Sequence, residues 1–223
     1  MDLYHLLNRG VEKRTIFMDS GDYARFVHDL YEFNGAKPAL NAGRTYNAAS
    51  NQMIDLRNQS FQREKIVDLH GWCLMKNHYH LLLSEIVDGG LTKFIRKLNV
   101  GYANYFNEKY KRQGTFFQGR TKRIRINSNA HHLHILNYIH LNPLDYLSGG
   151  QNWRRLEIED RERARQYLEK YRWSSYNDYC GRKNFPSILS TEVFGERPEK
   201  FESKTLSYLK DIEMPEIRPY LLE

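Results

Sequence analysis

The sequence has few cysteines and no long apolar run, and both absences narrow the class of protein. Only two of the 223 residues are cysteine, Cys73 and Cys180. Two thiols cannot form a disulfide framework or a four-thiolate zinc site. No apolar run approaches the roughly 18 residues of a membrane helix, and the N-terminus MDLYHLLNRG lacks the charged-then-apolar pattern of a secretion signal. These absences predict a soluble, cytoplasmic protein with no membrane partner.

Acidic residues are also in deficit. The chain has 27 Asp and Glu against 34 Lys and Arg, which gives a net charge of +7. Aromatic residues make up 13% of the chain, too many for a disordered protein. The charge therefore favours a polyanionic partner of a folded protein, although charge alone says nothing about the fold.

The hydrophobic pattern predicts strands and helices in a definite order. A helix that Asp19 or Ser20 can cap follows the first strand, and Lys76-Asn77 forms the turn of a hairpin. The predicted strands are 3–8, 66–75, 78–84 and 115–126, and the later helices are 90–109 and 129–142, the last stopped by Pro143. This β-α-β-β-α-β-α order predicts an α+β fold, an antiparallel sheet with helices packed on one face.

Two regions depart from this pattern. Residues 35–63 are rich in Asn, Ala, Ser, Gly and Gln without a sustained period, which predicts a long loop insertion. Residues 148–223 turn polar after a Gly-Gly break, with a charged helix expected over 157–171. We therefore predict one domain over 1–147 and a C-terminal accessory region, 148–223, packed on that core.

The strongest local feature is His78-Tyr79-His80 within an apolar strand. Side chains alternate along a strand, so His78 and His80 project to one face and can converge on one metal ion. The alternative interpretation is two ordinary histidines on a half-exposed sheet. The spacing alone leaves these two interpretations evenly balanced, because the pattern is short.

A second feature is the helix that contains NYIHLNP. Tyr138 and Asn142 are four residues apart and share a helix face. A tyrosine hydroxyl can act as a nucleophile, and an amide oxygen one turn away can bind a metal. Taken alone, the pattern favours a core tyrosine beside a helix-ending asparagine.

A third feature is the basic run from 111 to 125, which contains no acid and includes Phe116 and Phe117. Cations and flat rings suit a nucleic-acid strand, since phosphates pair with Lys and Arg while bases stack on aromatic rings. The alternative is a charged sheet edge that prevents aggregation. The charge balance and the phenylalanines favour binding. We predict that these side chains contact DNA: Arg9, Lys111, Arg112, Phe117, Arg120, Lys122, Arg123 and Arg125.

These motifs, in this order, resemble the HUH single-tyrosine transposases, and most of all their REP-associated, insertion-sequence-200-type branch. The resemblance is carried by HYH, FFQGRTKR, NYIHLNP and WSSYNDYCG, and by the opening YHLLNRGVEKRTIF with DYARF. It covers roughly residues 3–34 and 64–185. It implies a ferredoxin-like or RRM-like HUH core, and the 35–63 insertion is longer than the family leads us to expect.

The resemblance also implies an activity. His78 and His80 match the family's metal-binding pair, Tyr138 matches its nucleophile, and Asn142 matches a third ligand. Such enzymes use Mg or Mn and need no ATP. They cut single-stranded DNA with hairpin or palindromic ends, leaving a 5′-phosphotyrosine and a free 3′-hydroxyl.

Three questions stay open at this point. A relative that binds structured DNA or RNA without cutting it is one alternative, and another HUH nickase, a replication initiator or relaxase, is a second. A homodimer is also compatible with the resemblance, so the tyrosine helix could serve the His pair of its own chain or of a partner. Trp173 to Tyr176 are expected to pack the C-terminal region on the core.

Overall fold

The computed structural model describes residues 2–37, 44–47, 52–55, 64–126, 129–155, 158, 160–194 and 197–209. Its centre is a four-stranded sheet in the order β4-β5-β1-β6. Every neighbouring pair of strands in it is antiparallel. The strands are β1 (Leu3–Arg9), β4 (Val67–Met75), β5 (His78–Glu85) and β6 (Lys122–Ile126), and β2 (Arg44–Asn47) and β3 (Gln52–Asp55) form a separate hairpin. The predicted α+β class with an antiparallel sheet is confirmed.

Two helices, α1 (Ser20–Glu32) and α2 (Gly90–Lys109), pack on one face of this sheet. The Asp19 carboxylate accepts from the Asp22 backbone N–H and caps α1, as the sequence predicts. Apolar residues at helical spacing turn one side of each helix towards the sheet. Within the described residues, no helix combines the length and the apolar character needed to cross a bilayer.

The helix α3 (Asn129–Leu141) lies on the opposite face, so the prediction that the helices pack on one face of the sheet is wrong. The reason is that β5 is apolar on both sides: Leu81 and Leu83 face α1 and α2, and Leu82 faces α3. Gly71 of β4 lets α3 approach closely, since a Cβ atom there would lie 2.4 Å from Leu136 Cδ1. Both faces of the sheet are therefore buried.

The C-terminal region packs on the outer edge of β4. The Ser175 backbone N–H donates to the Trp72 carbonyl (3.0 Å), and the Leu74 backbone N–H donates to the Trp173 carbonyl (2.9 Å). These bonds satisfy backbone groups that an edge strand would otherwise expose. The region continues through α4 (Arg161–Lys170), α5 (Tyr176–Tyr179) and α6 (Pro198–Ser207). The predicted packing of the WSSY segment agrees with these contacts, whereas the division into a domain and an accessory region stays a prediction.

Two of the predicted boundaries are wrong, and one predicted loop contains a pair of strands. The strand expected over 115–126 is confined to β6, because Gly119 adopts a positive φ of 73° and turns the chain. The predicted 35–63 loop contains the β2–β3 hairpin, and its residues 38–43, 48–51 and 56–63 lie outside the described part of the chain. The charged helix α4 begins only at Arg161, where the Asp160 carboxylate caps the Arg163 backbone N–H.

Ser175 links the WSSY segment to the sheet, and its hydroxyl is expected to contribute measurably to stability. Its Oγ accepts from the Trp72 backbone N–H (3.0 Å) and lies 2.7 Å from His140 Nε2. We expect Ser175→Ala to lower the free energy of unfolding by about 1–3 kcal/mol, since it leaves buried polar groups without this partner. Urea denaturation measures the loss. The exposed Ser207→Ala serves as the control and should change it by less than about 0.5 kcal/mol.

Candidate active site

His78 and His80 project from β5 to the same face of the sheet, as the alternation predicts. Their Nε2 atoms lie 3.1 Å apart. Two nitrogens about 2.1 Å from one ion, at right angles, are separated by about 3.0 Å. The pair therefore has the spacing of two adjacent metal ligands. In the described part of the chain, no three His, Cys, Asp or Glu side chains form a metal cluster, so a third side-chain ligand from these residues would be of another type.

The hydrogen bonds of the two rings orient this pair. His78 Nδ1 lies 2.6 Å from Asn77 Oδ1, an atom that can only accept. In a neutral ring, His78 Nδ1 therefore carries the proton and Nε2 keeps its lone pair. His80 Nδ1 lies 3.0 Å from His5 Nε2, and the two rings stack with centroids 5.3 Å apart. Such a partner on the far nitrogen fixes the ring of a metal-binding histidine.

His5 is a site residue that the sequence patterns did not single out. It reaches the His pair because β1 and β5 pair in a register that sets Leu7 opposite His80 and His5 opposite Leu82. Residues that lie opposite each other point to one face of a sheet. The alternation of side chains along β1 shows only that His5 and Leu7 share a face. The register between β1 and β5 is needed to show that this face is also that of the His pair.

Burial keeps the His pair neutral at pH 7. It lowers the pKa of His78 to about 3, and the charges of Arg9 and Arg154 add to this effect. Burial also sets the pKa of His80 well below its usual value, with further contributions from His78 and His5. A neutral imidazole is the form that binds a metal ion. The site is thus held in a ligand-competent protonation state.

Tyr138 projects from α3 onto the same face. Its ring centroid lies 6.1 Å from that of His80 and 6.3 Å from that of His5, both in edge-on arrangements. Trp153 packs on the tyrosine from the other side at 5.5 Å, and Tyr138 is only 1% exposed. The phenol of Tyr138 therefore lies beside the imidazole pair of the same chain, and the Trp153 ring packs against it.

Asn142 follows α3 and begins a 3₁₀ helix, Asn142–Tyr146. Its Nδ2 donates to the Tyr138 carbonyl (2.9 Å), and its Oδ1 accepts from Arg154 Nη2 (2.9 Å). The oxygen predicted as the third ligand is therefore held by a guanidinium. A carbonyl oxygen has two lone pairs, so the second pair can still serve a metal ion.

Arg154 is the second site residue that the sequence patterns missed. Its guanidinium lies 5.8 Å from the Tyr138 ring centroid and 4.4 Å from that of Trp153. It also pairs with Asp145, which accepts from Trp153 Nε1 (2.8 Å) as well. The Arg154 guanidinium thus contacts Tyr138, Asn142 and Trp153. It lies in a short 3₁₀ segment, Gly150–Arg155, with no periodic pattern to mark it.

The predicted DNA-binding cations are divided between two faces of the sheet. Arg9 lies opposite His78 and Lys122 lies opposite Leu7, so both belong to the face of the His pair. Arg123 and Arg125 belong to the other face, and Arg125 pairs with Asp2 (2.6 Å). Only part of the predicted basic set can therefore contact a strand that lies over the His pair.

The remaining members of that set lie in the segment between α2 and β6. Lys111 and Arg120 are exposed, and Arg112 stacks on Phe116 with its guanidinium 5.8 Å from the ring centroid. Phe117 is only 8% exposed and packs edge-on against Tyr79. The ring of Phe117 therefore belongs to the core in this arrangement, and its predicted contact with DNA stays a prediction.

The neutral buried histidines predict a loss of stability in acid. Burial lowers the pKa of His140 from 6.5 to about 3, so the folded chain resists a proton that the unfolded chain binds. The corresponding stability is present above pH 6.5 and is lost as the pH falls from 6.5 towards 3. We expect the burial of His140 to make the free energy of unfolding about 2 kcal/mol lower at pH 5 than at pH 7. His78 and His80 should lower it further.

Urea denaturation at pH 7 and pH 5 tests this expectation. The His140→Gln variant should lose less stability between the two pH values than the wild-type chain. An equal loss in both proteins contradicts the assignment of this pH dependence to His140.

One family model matches the part of the chain that contains these motifs. A sequence model of the family described as "Transposase IS200 like" matches residues 46–142. A solved structure of a REP-associated tyrosine transposase bound to a REP hairpin is 13% identical, with 88% of this chain and 92% of that chain covered and a TM-score of 0.48. No curated protein matches the sequence. The segment that matches this family model contains His78, His80, Tyr138 and Asn142, so this part of the chain is similar to IS200-like transposases.

Proposed function

We propose that this protein cuts and rejoins single-stranded DNA through a covalent bond to Tyr138, with a divalent ion on the His pair. The main observation that supports the proposal is that the side chains of Tyr138, His80 and His78 lie close together in one chain. The ring of Tyr138 lies 6.1 Å from that of His80, and His80 lies 3.1 Å from His78, measured between Nε2 atoms. A nucleophile beside a candidate metal pair is the minimum that phosphoryl transfer to a tyrosine requires.

The proposed reaction is a reversible exchange of esters. The Tyr138 oxygen forms a bond to the scissile phosphorus while the bond from phosphorus to the 3′-oxygen breaks. The phenol loses its proton, and the departing 3′-oxygen gains one. The covalent ester retains the energy of the broken bond, so a 3′-hydroxyl can reverse the step without ATP.

The chain's own residues would prepare this step. Only about one tyrosine in a thousand is ionised at pH 7, so the phenol needs assistance. His78 and His80 would hold Mg or Mn, with Asn142 as the third side-chain ligand. When bound, such an ion offsets the charge that develops on the phosphate oxygens. Arg9 and Lys122, which share this face, would bind neighbouring phosphates.

The buried position of Tyr138 implies that DNA entry involves a movement. At 1% exposure, its ring cannot meet a phosphate while Trp153 and Arg154 cover it. We propose that the Gly150–Arg155 segment moves away from Tyr138 when single-stranded DNA binds. This motion would separate a resting arrangement from a reactive one.

The experiment is a cleavage assay on hairpin-bearing single strands with Mg or Mn. We expect a free 3′-hydroxyl fragment and a fragment that migrates with the protein. A chelator should abolish both products. The absence of cleavage on a broad set of hairpin substrates, with either metal, would contradict the proposal.

A non-cleaving DNA-binding protein is the second candidate. The observations that favour it are the burial of Tyr138 and the bond between Asn142 Oδ1 and Arg154. Such a protein would bind hairpins tightly and form no adduct with any metal. A replication initiator or relaxase would share the chemistry and differ in its substrates.

Arg154 provides a test of the metal assignment that does not depend on cleavage. Its charge lowers the pKa of both His78 and His80, and its guanidinium holds Asn142 Oδ1. We expect Arg154→Gln to bind Mn²⁺ several-fold more tightly, because it removes a repelling charge and releases the amide oxygen. Titration of Mn²⁺ followed by electron paramagnetic resonance measures the affinity.

The exposed Arg163→Gln of α4 carries the same charge change and serves as the control. Its Mn²⁺ affinity should equal that of the wild-type chain. Weaker or unchanged binding in Arg154→Gln would place the ion away from this arginine and asparagine.

A further inference from the structure

Asn77 is the last residue of the turn that joins β4 to β5, and it directly precedes His78. Its side chain connects this histidine to a loop from another part of the chain, the Gly10–Arg14 loop. Asn77 Oδ1 lies 2.6 Å from His78 Nδ1, and Asn77 Nδ2 donates to the Lys13 carbonyl (3.2 Å). One amide thus makes one contact with the His pair and one with the loop.

The Lys13 carbonyl determines which end of the Asn77 amide faces His78. The oxygen and the nitrogen of an asparagine side chain are distinguished by the hydrogen bonds around them. A backbone carbonyl can only accept, so Nδ2 of Asn77 faces Lys13 and Oδ1 faces the imidazole ring. Since Oδ1 can also only accept, the neutral His78 ring carries its proton on Nδ1. The nitrogen of His78 that is free to bind an ion is therefore set by a carbonyl of the Gly10–Arg14 loop.

The Gly10–Arg14 loop has an unusual backbone conformation. Glu12 and Lys13 both have a positive φ, 56° and 57°. Residues other than glycine persist in this region only where the surrounding structure holds them. Gly10 permits a close approach within the loop, because a Cβ atom there would lie 2.6 Å from the Arg14 carbonyl oxygen. The Gly10 N–H donates to the Asn77 carbonyl (2.9 Å), so the loop is held against the turn.

The turn is held from two further directions. The Lys76 carbonyl accepts from the backbone N–H groups of Ile16 (2.7 Å) and Phe17 (3.2 Å). The Lys76 backbone N–H donates to Tyr146 Oη (2.6 Å), and Tyr146 ends the 3₁₀ helix that begins at Asn142. Asn77 therefore projects from a turn that is fixed on both sides, and its amide is held beside His78.

We propose that Asn77 is a positioning residue for His78, which keeps the imidazole ring oriented and its Nε2 atom free for the divalent ion. Asn77 acts through His78 and is not itself a ligand. The inference rests on the proposed function, because it takes the His pair as the metal site. It also assigns the Gly10–Arg14 loop an indirect role in metal affinity, since the Lys13 carbonyl holds the Asn77 amide. Loss of such an outer partner typically lowers metal affinity about 10- to 100-fold.

The test locates the His78 proton without a metal and then measures Mn²⁺ affinity. Long-range ¹H–¹⁵N correlation spectra of the histidine-labelled chain, recorded in chelator near neutral pH, distinguish a protonated ring nitrogen from one with a free lone pair. The His78→Ala spectrum identifies the His78 signals by their loss. Two variants are compared with the wild-type chain: Asn77→Ala and Asn77→Asp. Asn77 has no positive φ, so both residues fit its backbone.

The control is Asn99→Ala. Asn99 of α2 also contacts a side chain of β5, since its Oδ1 accepts from Tyr79 Oη (2.7 Å). Tyr79 points to the face opposite the His pair. This variant should lose a comparable hydrogen bond to the same strand, yet keep the wild-type His78 signals and the wild-type Mn²⁺ affinity.

We expect the His78 proton on Nδ1 in the wild-type chain and at least partly on Nε2 in Asn77→Ala. Mn²⁺ affinity, followed by electron paramagnetic resonance, should fall about 10- to 100-fold in Asn77→Ala. Asn77→Asp keeps an acceptor beside Nδ1, so the proton should stay there and Mn²⁺ should bind at least about tenfold more tightly than in Asn77→Ala. The added charge of Asn77→Asp can raise affinity by itself, so the position of its proton is the decisive measurement.

A His78 proton on Nε2 in the wild-type chain would overturn the role of Asn77, even if Tyr138 forms its adduct. So would a proton that remains wholly on Nδ1 in Asn77→Ala, or an unchanged Mn²⁺ affinity in that variant. Absence of Mn²⁺ binding in the wild-type chain would instead contradict the metal assignment, and the spectra would still decide whether Asn77 holds His78. Thermal unfolding of each variant identifies any effect that arises from unfolding.

Discussion

Replacing Tyr138 with phenylalanine is expected to abolish the covalent protein–DNA adduct and to lower strand cleavage by at least about 1,000-fold, the scale at which a lost nucleophile acts. The substitution removes only the oxygen that attacks phosphorus. The ring that packs between His80 and Trp153 is kept, so the fold should survive. DNA affinity should change less than twofold, because the cations and the His pair are untouched. Denaturing gel electrophoresis with labelled DNA measures the adduct.

Tyr176→Phe is the matched control for this experiment. Tyr176 is fully buried beside the C-terminal end of α3, and its hydroxyl makes a long hydrogen bond of 3.5 Å to Glu202. This variant should retain full adduct formation. A Tyr138→Phe protein that still forms the adduct would place the nucleophile on another residue.

Replacing His78 with alanine should remove both metal binding and cleavage. His78 Nε2 lies 3.1 Å from its counterpart in His80, so the loss of either ring leaves one imidazole. We expect Mn²⁺ affinity to fall by more than the roughly 10- to 100-fold cost of losing a residue that only orients a ligand. Calorimetric titration measures it. Cleavage should fall in parallel, whereas binding of DNA in chelator should persist.

His28→Ala provides the comparison for His78→Ala. His28 is a partly buried histidine on α1, the helix on the opposite face of the sheet, and its removal should leave Mn²⁺ affinity unchanged. Similar Mn²⁺ affinities in His78→Ala and the wild-type chain would exclude the His pair as the metal site. The proposed chemistry at Tyr138 would then require another source of charge stabilisation.

The central part of the site could be predicted from sequence because it depends on local periodicity. Alternation along β5 sets His78 and His80 on one face whatever the strand's partners are. Tyr138 and Asn142 share a face of any helix that contains both. The order of the motifs along the chain gave the family resemblance, and the resemblance implied that the two local patterns belong to one site. The meeting of Tyr138 with His80 required the structure, since neither pattern specifies how α3 crosses the sheet.

The parts that sequence reasoning missed depend on long-range packing. His5 joins the site through the register of β1 and β5, and a shift by one residue would turn it to the other face. Arg154 reaches the site from a short 3₁₀ segment without periodicity. Phe117 lies in the expected basic segment, but the turn at Gly119 and its packing against Tyr79 bury its ring. Composition cannot distinguish a buried ring from one that is available for stacking.

Mass spectrometry of the trapped protein–DNA ester identifies the residue that attacks the DNA. The wild-type chain is incubated with a hairpin-bearing single strand and Mn²⁺, and the adduct is digested with protease and nuclease. We expect the residual nucleotide mass on the peptide containing Tyr138, attached to that tyrosine through a 5′-phosphate. A nucleotide attached to any other residue, or through a 3′-phosphate, would rule out Tyr138 as the nucleophile of the proposed reaction.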